Sequence, residues 1–298
     1  MDKDLERRAL EFYAEQVRNG SDELYYHYRL YEKYFMLAKP EDGDELLRRA
    51  TMKIFTSDPF AYAGTFPFVI DHLDESDLEE IAQAITFGGD EGAAQLLRGH
   101  LWADAAGHGD HRAAFAERAV AELEAVPEEL RSHEFWEKLA RCYRKVDYEK
   151  FKSVIPTLFA SGPAEWRASE IVGALEHAGG REDWPTYDEW RTEWDALPQN
   201  AHLCDCHLNT LATFDGLRAL HRGDVSTAVE RLTAATQVRG CAHLNTGAAE
   251  LKLVEALLDH PELTSQCEAY LDFCDRMSDS ENAAEKTAEL RTRLRGSV

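Results

Sequence analysis

The chain is short of positive charge and of long apolar runs, and each shortage excludes a class of protein. Its 33 basic residues face 56 acidic ones, a formal net charge of -23. Nucleic acids and anionic membrane surfaces need Lys and Arg to displace counterions, so neither is an expected partner. No apolar run approaches the roughly 20 residues that span a bilayer. The opening residues MDKDLERRALEFYAEQ carry charges where a signal peptide would place its apolar core, so the expected compartment is the cytoplasm. Six cysteines in 298 residues are too sparse for a secreted disulfide scaffold and no Cys-x-x-Cys pair occurs, which predicts free thiols.

Also missing are a phosphate-binding glycine loop, a His-Glu-x-x-His pair, a Gly-x-Ser-x-Gly elbow and the protein-kinase signatures. Among 56 carboxylates, neighbouring pairs arise by composition and carry no information on acid-base work. The expectation is recognition without turnover and without a cofactor. What the chain does have is enough to fold: 44% apolar residues, with six Trp, eleven Tyr and thirteen Phe.

Helical periodicity dominates, and no stretch alternates convincingly as a strand would. In DVSTAVERLTAATQV, residues Val225, Ala228, Val229, Leu232 and Ala235 fall on one helical face. In PELTSQCEAYLDFCDRM, Leu263, Cys267, Tyr270, Cys274 and Met277 do the same, which makes Cys267 and Cys274 core residues. Between helices the punctuation recurs. HGDH at 108–111, RGDV at 222–225 and DGDE at 42–45 each place a Gly to end one helix and an Asp to cap the next. Turns with Asp but no Gly are predicted at Asp74, Asp147 and Asp183, and DHPE at 259–262 starts a helix with Pro. Successive members lie some thirty to forty residues apart, the period of stacked helical hairpins.

From Gly216, the residues Ala219, Gly223, Asp224, Ala228, Leu232 and Ala235 sit at the offsets of the small and apolar positions of a tetratricopeptide repeat, and the 207–240 stretch resembles that family. Residues 101–127 and 135–160 look like further copies. The stretch departs from the family's pattern at Ala212, where a large aromatic is favoured, at Asp215, where Leu is, at Ala219, where Tyr is, and at Gly240, where Pro closes the repeat. The last seventy or so residues resemble the C-terminal part of bacterial helical-repeat proteins. The resemblance implies an all-α, right-handed α-solenoid of about fourteen to sixteen helices that binds a protein or peptide on its concave face. Residues 1–90 are read as degenerate repeats or a cap, continuous with repeats over 91–298.

HLNT occurs at 207–210 and again at 243–246, 36 residues apart. On the repeat reading each copy opens the first helix of a unit, with Asn209 and Asn245 placed to cap exposed N–H groups. The same region offers an alternative, a zinc site. HLCDCHLN and CAHL put Cys204, Cys206 and His207, with His202 beside them, on one connection and Cys241 and His243 on the next, and helices about 8–10 Å apart would let both share an ion. Cys-x-Cys-His is not a familiar zinc spacing, which favours a packed helix start. His108, Asp110 and His111 in GHGDH read as a hydrated turn.

Two groups are candidates for partner contact. LYYHYRLYEKYFML at 24–37 has more aromatics than one buried face can take, so Tyr28 and Tyr31 are placed to line a pocket, unless the helix is covered on two sides. Between Arg131 and Lys152 seven basic residues meet four acidic ones. In tetratricopeptide-like units the first helix lines the groove, which implies that Arg141, Arg144 and Lys145 face it and hold a carboxylate or an acidic segment. An ordinary solvated face, answered by Glu134, Glu137 and Glu149, is the other reading. The overall acidity alternatively suits an inhibitor of a basic protein.

Overall fold

The computed structural model describes residues 3–21, 23, 25, 27–30, 44–57, 73–86, 89–107, 112–198, 204–238, 250–277 and 281–296. Tyr31, His202, Cys241, His243, the GHGDH histidines and the second HLNT copy lie outside them. All regular structure among the described residues is helical, with no strand. The α-helices are α1 (Lys3–Arg18), α2 (Asp44–Ser57), α3 (Glu75–Ala84), α4 (Glu91–Ala105), α5 (Arg112–Glu124), α6 (His133–Val146), α7 (Tyr148–Ser161), α8 (Ala164–Gly180), α9 (Trp184–Asp195), α10 (Asp205–His221), α11 (Val225–Ala235), α12 (Lys252–Leu257), α13 (Thr264–Met277) and α14 (Glu281–Gly296). The chain divides into two compact units, Met1–Ser161 and Gly162–Val298.

In the first unit each helix from α1 to α7 packs on the next, and α4 also packs on α6. Leu30, Ile54, Ile81, Leu101 and Ala119 belong to one core, so helices on both sides of residue 90 share it. In the second unit α8 pairs with α9, α10 with α11, and α13 with α14; α10 also packs on α8 and α12, and α13 on α11 and α12. The stripes expected from periodicity are the buried ones here: Ala228, Leu232 and Ala235 on α11, and Cys267, Tyr270 and Cys274 on α13. Gly216 lets α10 approach two neighbours at once. A Cβ there would overlap Leu253 of α12 and sit 3.3 Å from the Arg231 Cβ of α11.

The Asp-headed turns expected at Asp74, Asp147, Asp183 and Asp224 are where the sequence placed them, and those of HGDH and DGDE lie wholly or partly outside the described residues. Asp74 makes a capping box, accepting from the Asp77 N–H at 3.0 Å while its own N–H donates to the Asp77 carboxylate at 3.2 Å. Asp183 caps α9 through Thr186 N–H, Asp224 caps α11 through Thr227 N–H, and Asp147 accepts from Lys150 N–H at 3.1 Å. The α10–α11 turn reverses through Gly223 at φ 76°. Its flanking bonds, Gly223 N–H to Leu220 C=O and Asp224 N–H to Ala219 C=O, close a Schellman motif. The turn before α9, with no Gly at its left-handed position, makes the same bonds, Glu182 N–H to Gly179 C=O and Asp183 N–H to Ala178 C=O. Glu182 therefore takes φ 57°, at a cost of about 1 kcal/mol for a residue with a Cβ.

The first HLNT copy does a different job from the one expected. Asn209 lies inside α10, whose N-cap is Cys204, and it is fully buried. Its Nδ2 donates to Tyr270 Oη at 3.0 Å and to the Ala235 carbonyl at 3.4 Å, and its Oδ1 accepts from Glu250 N–H at 3.2 Å. Tyr270 Oη donates in turn to the Glu250 carbonyl at 2.9 Å. Asn209 thus satisfies the end of α11 and the approach to α12 instead of its own helix. Asn209→Ala orphans several buried partners, and unfolding in urea followed by far-ultraviolet circular dichroism is expected to show a loss of about 2 kcal/mol. A loss below about 0.5 kcal/mol would mean that water replaces the side chain.

Candidate functional site

The basic stretch of α6 is held by its own chain more than it is presented to solvent. Lys138 Nζ lies 2.7 Å from one oxygen of Asp104 on α4, and Arg141 Nη2 lies 2.8 Å from the other. Asp104 and Lys138 are both nearly buried. Lys145 Nζ donates to the Ala106 carbonyl at the end of α4, at 2.5 Å. Of the three candidate cations, Arg141 and Lys145 thus converge on α4, while Arg144 is exposed. Periodicity explains the arrangement: Lys138, Arg141 and Lys145 recur three or four residues apart, and the α4–α6 contact runs along that row. Tyr28 packs, half-buried, against the core of the first unit.

His100 of α4 completes this cluster. Burial, then the positive charges of Lys138 and Arg141 against the opposing pull of Asp104, hold its imidazole neutral, with the pKa pushed down to about 3. Glu134 approaches His100 Nδ1 only to 3.7 Å and is largely exposed, so it offsets little of this.

Each unit also carries a cleft. In the first unit a cleft of about 550 Å³ is lined by Trp102, Arg98 and Arg118 together with Glu79, Glu91 and Glu122. Arg118 lies 4.8 Å over the Trp102 ring and bonds Glu75 and Glu79. Arg98 makes paired bonds to Glu122, 3.0 and 3.1 Å, and also reaches Glu91 and the Ile85 carbonyl. Both guanidiniums are thus engaged by carboxylates, and the cleft works as a joint between α3, α4 and α5.

The second unit holds a groove of about 520 Å³ between α9, α10 and α11. Trp194, Leu208, Leu211, Ala212, Ala234 and Val238 supply its apolar lining; Arg191, Asp215, Arg231 and Gln237 supply the polar part. Leu208 is one of few large apolar side chains left exposed among the described residues. Asp215 accepts from Tyr187 Oη at 2.8 Å and from Arg191 Nε at 3.2 Å, and Arg191 also meets Asp195. Burial, and then the Asp215 charge, push the Tyr187 hydroxyl pKa up, so it stays a donor. Arg231 is exposed and makes no ion pair among the described residues. Nothing in the sequence pointed to a groove here, although two of its lining residues, Ala212 and Asp215, are among the four departures from the repeat pattern.

At the start of α10, Cys204 and Cys206 bring their sulfurs to 2.9 Å, with His207 the next residue. Among the described residues no group of three metal-binding side chains converges, and none of the described helices is long and apolar enough to cross a membrane. Comparison with protein-family models, with curated proteins and with solved structures found no match.

The sign of the His100 effect is testable. A pKa of about 3 in the fold against 6.5 unfolded means that the unfolded chain binds the extra proton. Stability from this group is complete above pH 6.5 and is lost as pH falls from there toward 3. At up to about 1.4 kcal/mol per pH unit, His100→Gln should remove on the order of 2 kcal/mol of the wild-type loss between pH 6.5 and 5. Denaturant midpoints of both proteins across that range check it; parallel curves would place a charged imidazole in the fold.

Proposed function

We propose that this chain is a non-catalytic, protein- or peptide-binding helical-repeat protein, a right-handed α-solenoid of tetratricopeptide-like hairpins, and that its ligand lies in the groove between α9, α10 and α11. The observation that carries the reading is that two of the four departures from the repeat pattern, Ala212 and Asp215, line one groove. A small residue where the repeat favours a large aromatic opens space beside Leu208 and Leu211. A carboxylate where it favours Leu gathers Tyr187 and Arg191 at the groove's edge. Successive hairpins over 91–124, 133–161, 164–195 and 205–235, each a pair of consecutive packed helices, support the repeat architecture.

The groove's chemistry names a ligand class. Its apolar lining suits one bulky aliphatic or aromatic side chain, and Arg231, with Arg191 behind it, suits an adjacent carboxylate. Arg141 and Lys145 contribute less on this reading, because Asp104 and the Ala106 carbonyl already occupy them. The chain's acidity then serves chiefly to keep basic proteins at its surface or other copies of itself apart.

Selection of a random peptide library on the full chain tests this. Enriched peptides should pair an apolar residue with Asp, Glu or a free C-terminus, and Leu208→Glu and Arg231→Glu should each weaken them at least about tenfold, about 1.4 kcal/mol. Enrichment of Lys- and Arg-rich peptides that both variants bind unchanged, and that added salt releases, would instead favour an acidic inhibitor of a basic partner.

A further inference from the structure

We propose that Cys204 and Cys206 form a redox modification site, a dithiol that a low-molecular-weight disulfide such as oxidised glutathione converts to an intramolecular disulfide and that reduced glutathione restores. The site follows from where the helix begins. Two residues apart inside a regular helix, side chains diverge by about 200° around the axis and cannot meet. Cys204 is the N-cap of α10, with extended backbone at φ -73° and ψ 140°, and Cys206 is the second helical residue. An N-cap side chain leans back over the first turn, which is how Ser, Thr or Asp reaches the N–H groups there. The same relation recurs at α3, where Ser76 Oγ lies 2.6 Å from Oδ1 of the N-cap Asp74, two residues earlier. With cysteine at both positions, that geometry brings two sulfurs to 2.9 Å. An S–S bond is about 2.05 Å long, so closure needs less than about 1 Å of further approach.

The other described cysteines lack this chemistry. Cys142, Cys267 and Cys274 are buried, and burial pushes their thiol pKa values up to about 11, 11 and 12. Cys204 and Cys206 are both partly exposed. Cysteine is also a poor substitute for the preferred caps, and α10 has no side-chain cap bond. A loop closed by three residues gains little from chain entropy, and disulfides that are exposed and tightly looped belong to the labile class.

The reaction balances. One protein thiolate attacks a sulfur of glutathione disulfide; the oxidant's S–S bond breaks, a mixed disulfide forms and one glutathione thiolate leaves. The second protein thiolate attacks the protein-bound sulfur and expels the second glutathione thiolate. The two protons lost by the cysteines are taken up by the two glutathiones, and two electrons pass from protein to oxidant.

The test uses the full chain, incubated across a series of oxidised-to-reduced glutathione ratios, quenched by alkylation and mapped by mass spectrometry. The peptide containing both residues should become two hydrogens lighter and resist alkylation until reduced, while Cys142, Cys267 and Cys274 alkylate only after denaturation. Cys204→Ser installs a preferred N-cap, so α10 is retained, and a glutathione adduct should persist on Cys206 with no disulfide to resolve it. The proposal is overturned if both thiols stay alkylatable even under oxidised glutathione with no reduced glutathione added, or if Cys206 pairs with Cys241. Zinc that co-purifies and protects both thiols, or a Cys204→Ser protein without a lasting adduct, overturns it equally.

Discussion

An amphipathic helix whose apolar face is wider than one partner can cover must find a second partner, and this constraint organises both units. Helix α10 is the clearest case. Leu211, Ala212, Phe214 and Ala219 are all buried, with Asn209 and Thr213 buried among them, and α8, α11 and α12 pack around it. Gly216 marks the place where a methyl group would force Leu253 of α12 to shift, with Arg231 of α11 close on the other side. Burial on three sides leaves little of α10 for solvent, and its exposed Leu208 is correspondingly conspicuous. Helix α6 solves the same problem differently. One face buries Phe135, Leu139 and Cys142, and the row Lys138, Arg141, Lys145 meets α4 through charge.

Close packing by apolar stripes tolerates sliding, and buried polar groups restrict it. Asp104 binds two cations from α6 in a nearly buried position, so any shift of α4 along α6 would strip a charge of its partner, at several kcal/mol. Asn209 has the same effect in the second unit, since only one register lets it reach the Ala235 carbonyl, the Glu250 N–H and Tyr270 Oη together. These clusters contribute more to fixing one arrangement than to net stability, since a well-packed apolar substitute is often as stable as a buried ion pair.

What could be read from the sequence follows from the range of the interactions involved. Caps are local, and Asp74, Asp183 and Asp224 each act on a residue three positions on, so the turns were readable one by one. The stripes of α11 and α13 were readable because burial follows period. The partners of charged and polar residues were not. Lys138 and Arg141 meet Asp104 across 34 and 37 residues, and Asn209 meets Tyr270 across 61. With 56 carboxylates available, nothing in composition singles out Asp104. Arg141 and Lys145 therefore read as groove residues, while their distant partners are visible only once α4 and α6 are side by side. Glu182 shows the opposite limit: its left-handed turn is invisible without a glycine, yet Asp183 behind it still marked the boundary.

The groove of the second unit requires compensation that the surrounding residues supply. Placing Ala at 212 forfeits the dispersion contacts of a larger side chain, and placing Asp at 215 puts a largely buried carboxylate beside apolar neighbours. Tyr187 and Arg191 satisfy that carboxylate from α9, which fixes the groove's edge to α10 through three polar atoms. Further round α10, Asn209 anchors the helix to α11 and to the segment entering α12. Tied at Asp215 and at Asn209, α10 need not collapse into the space beside Ala212. A volume that would otherwise close by helix movement stays open, and that rigidity is what a recognition surface needs if its ligand is not to bear the cost of forming it.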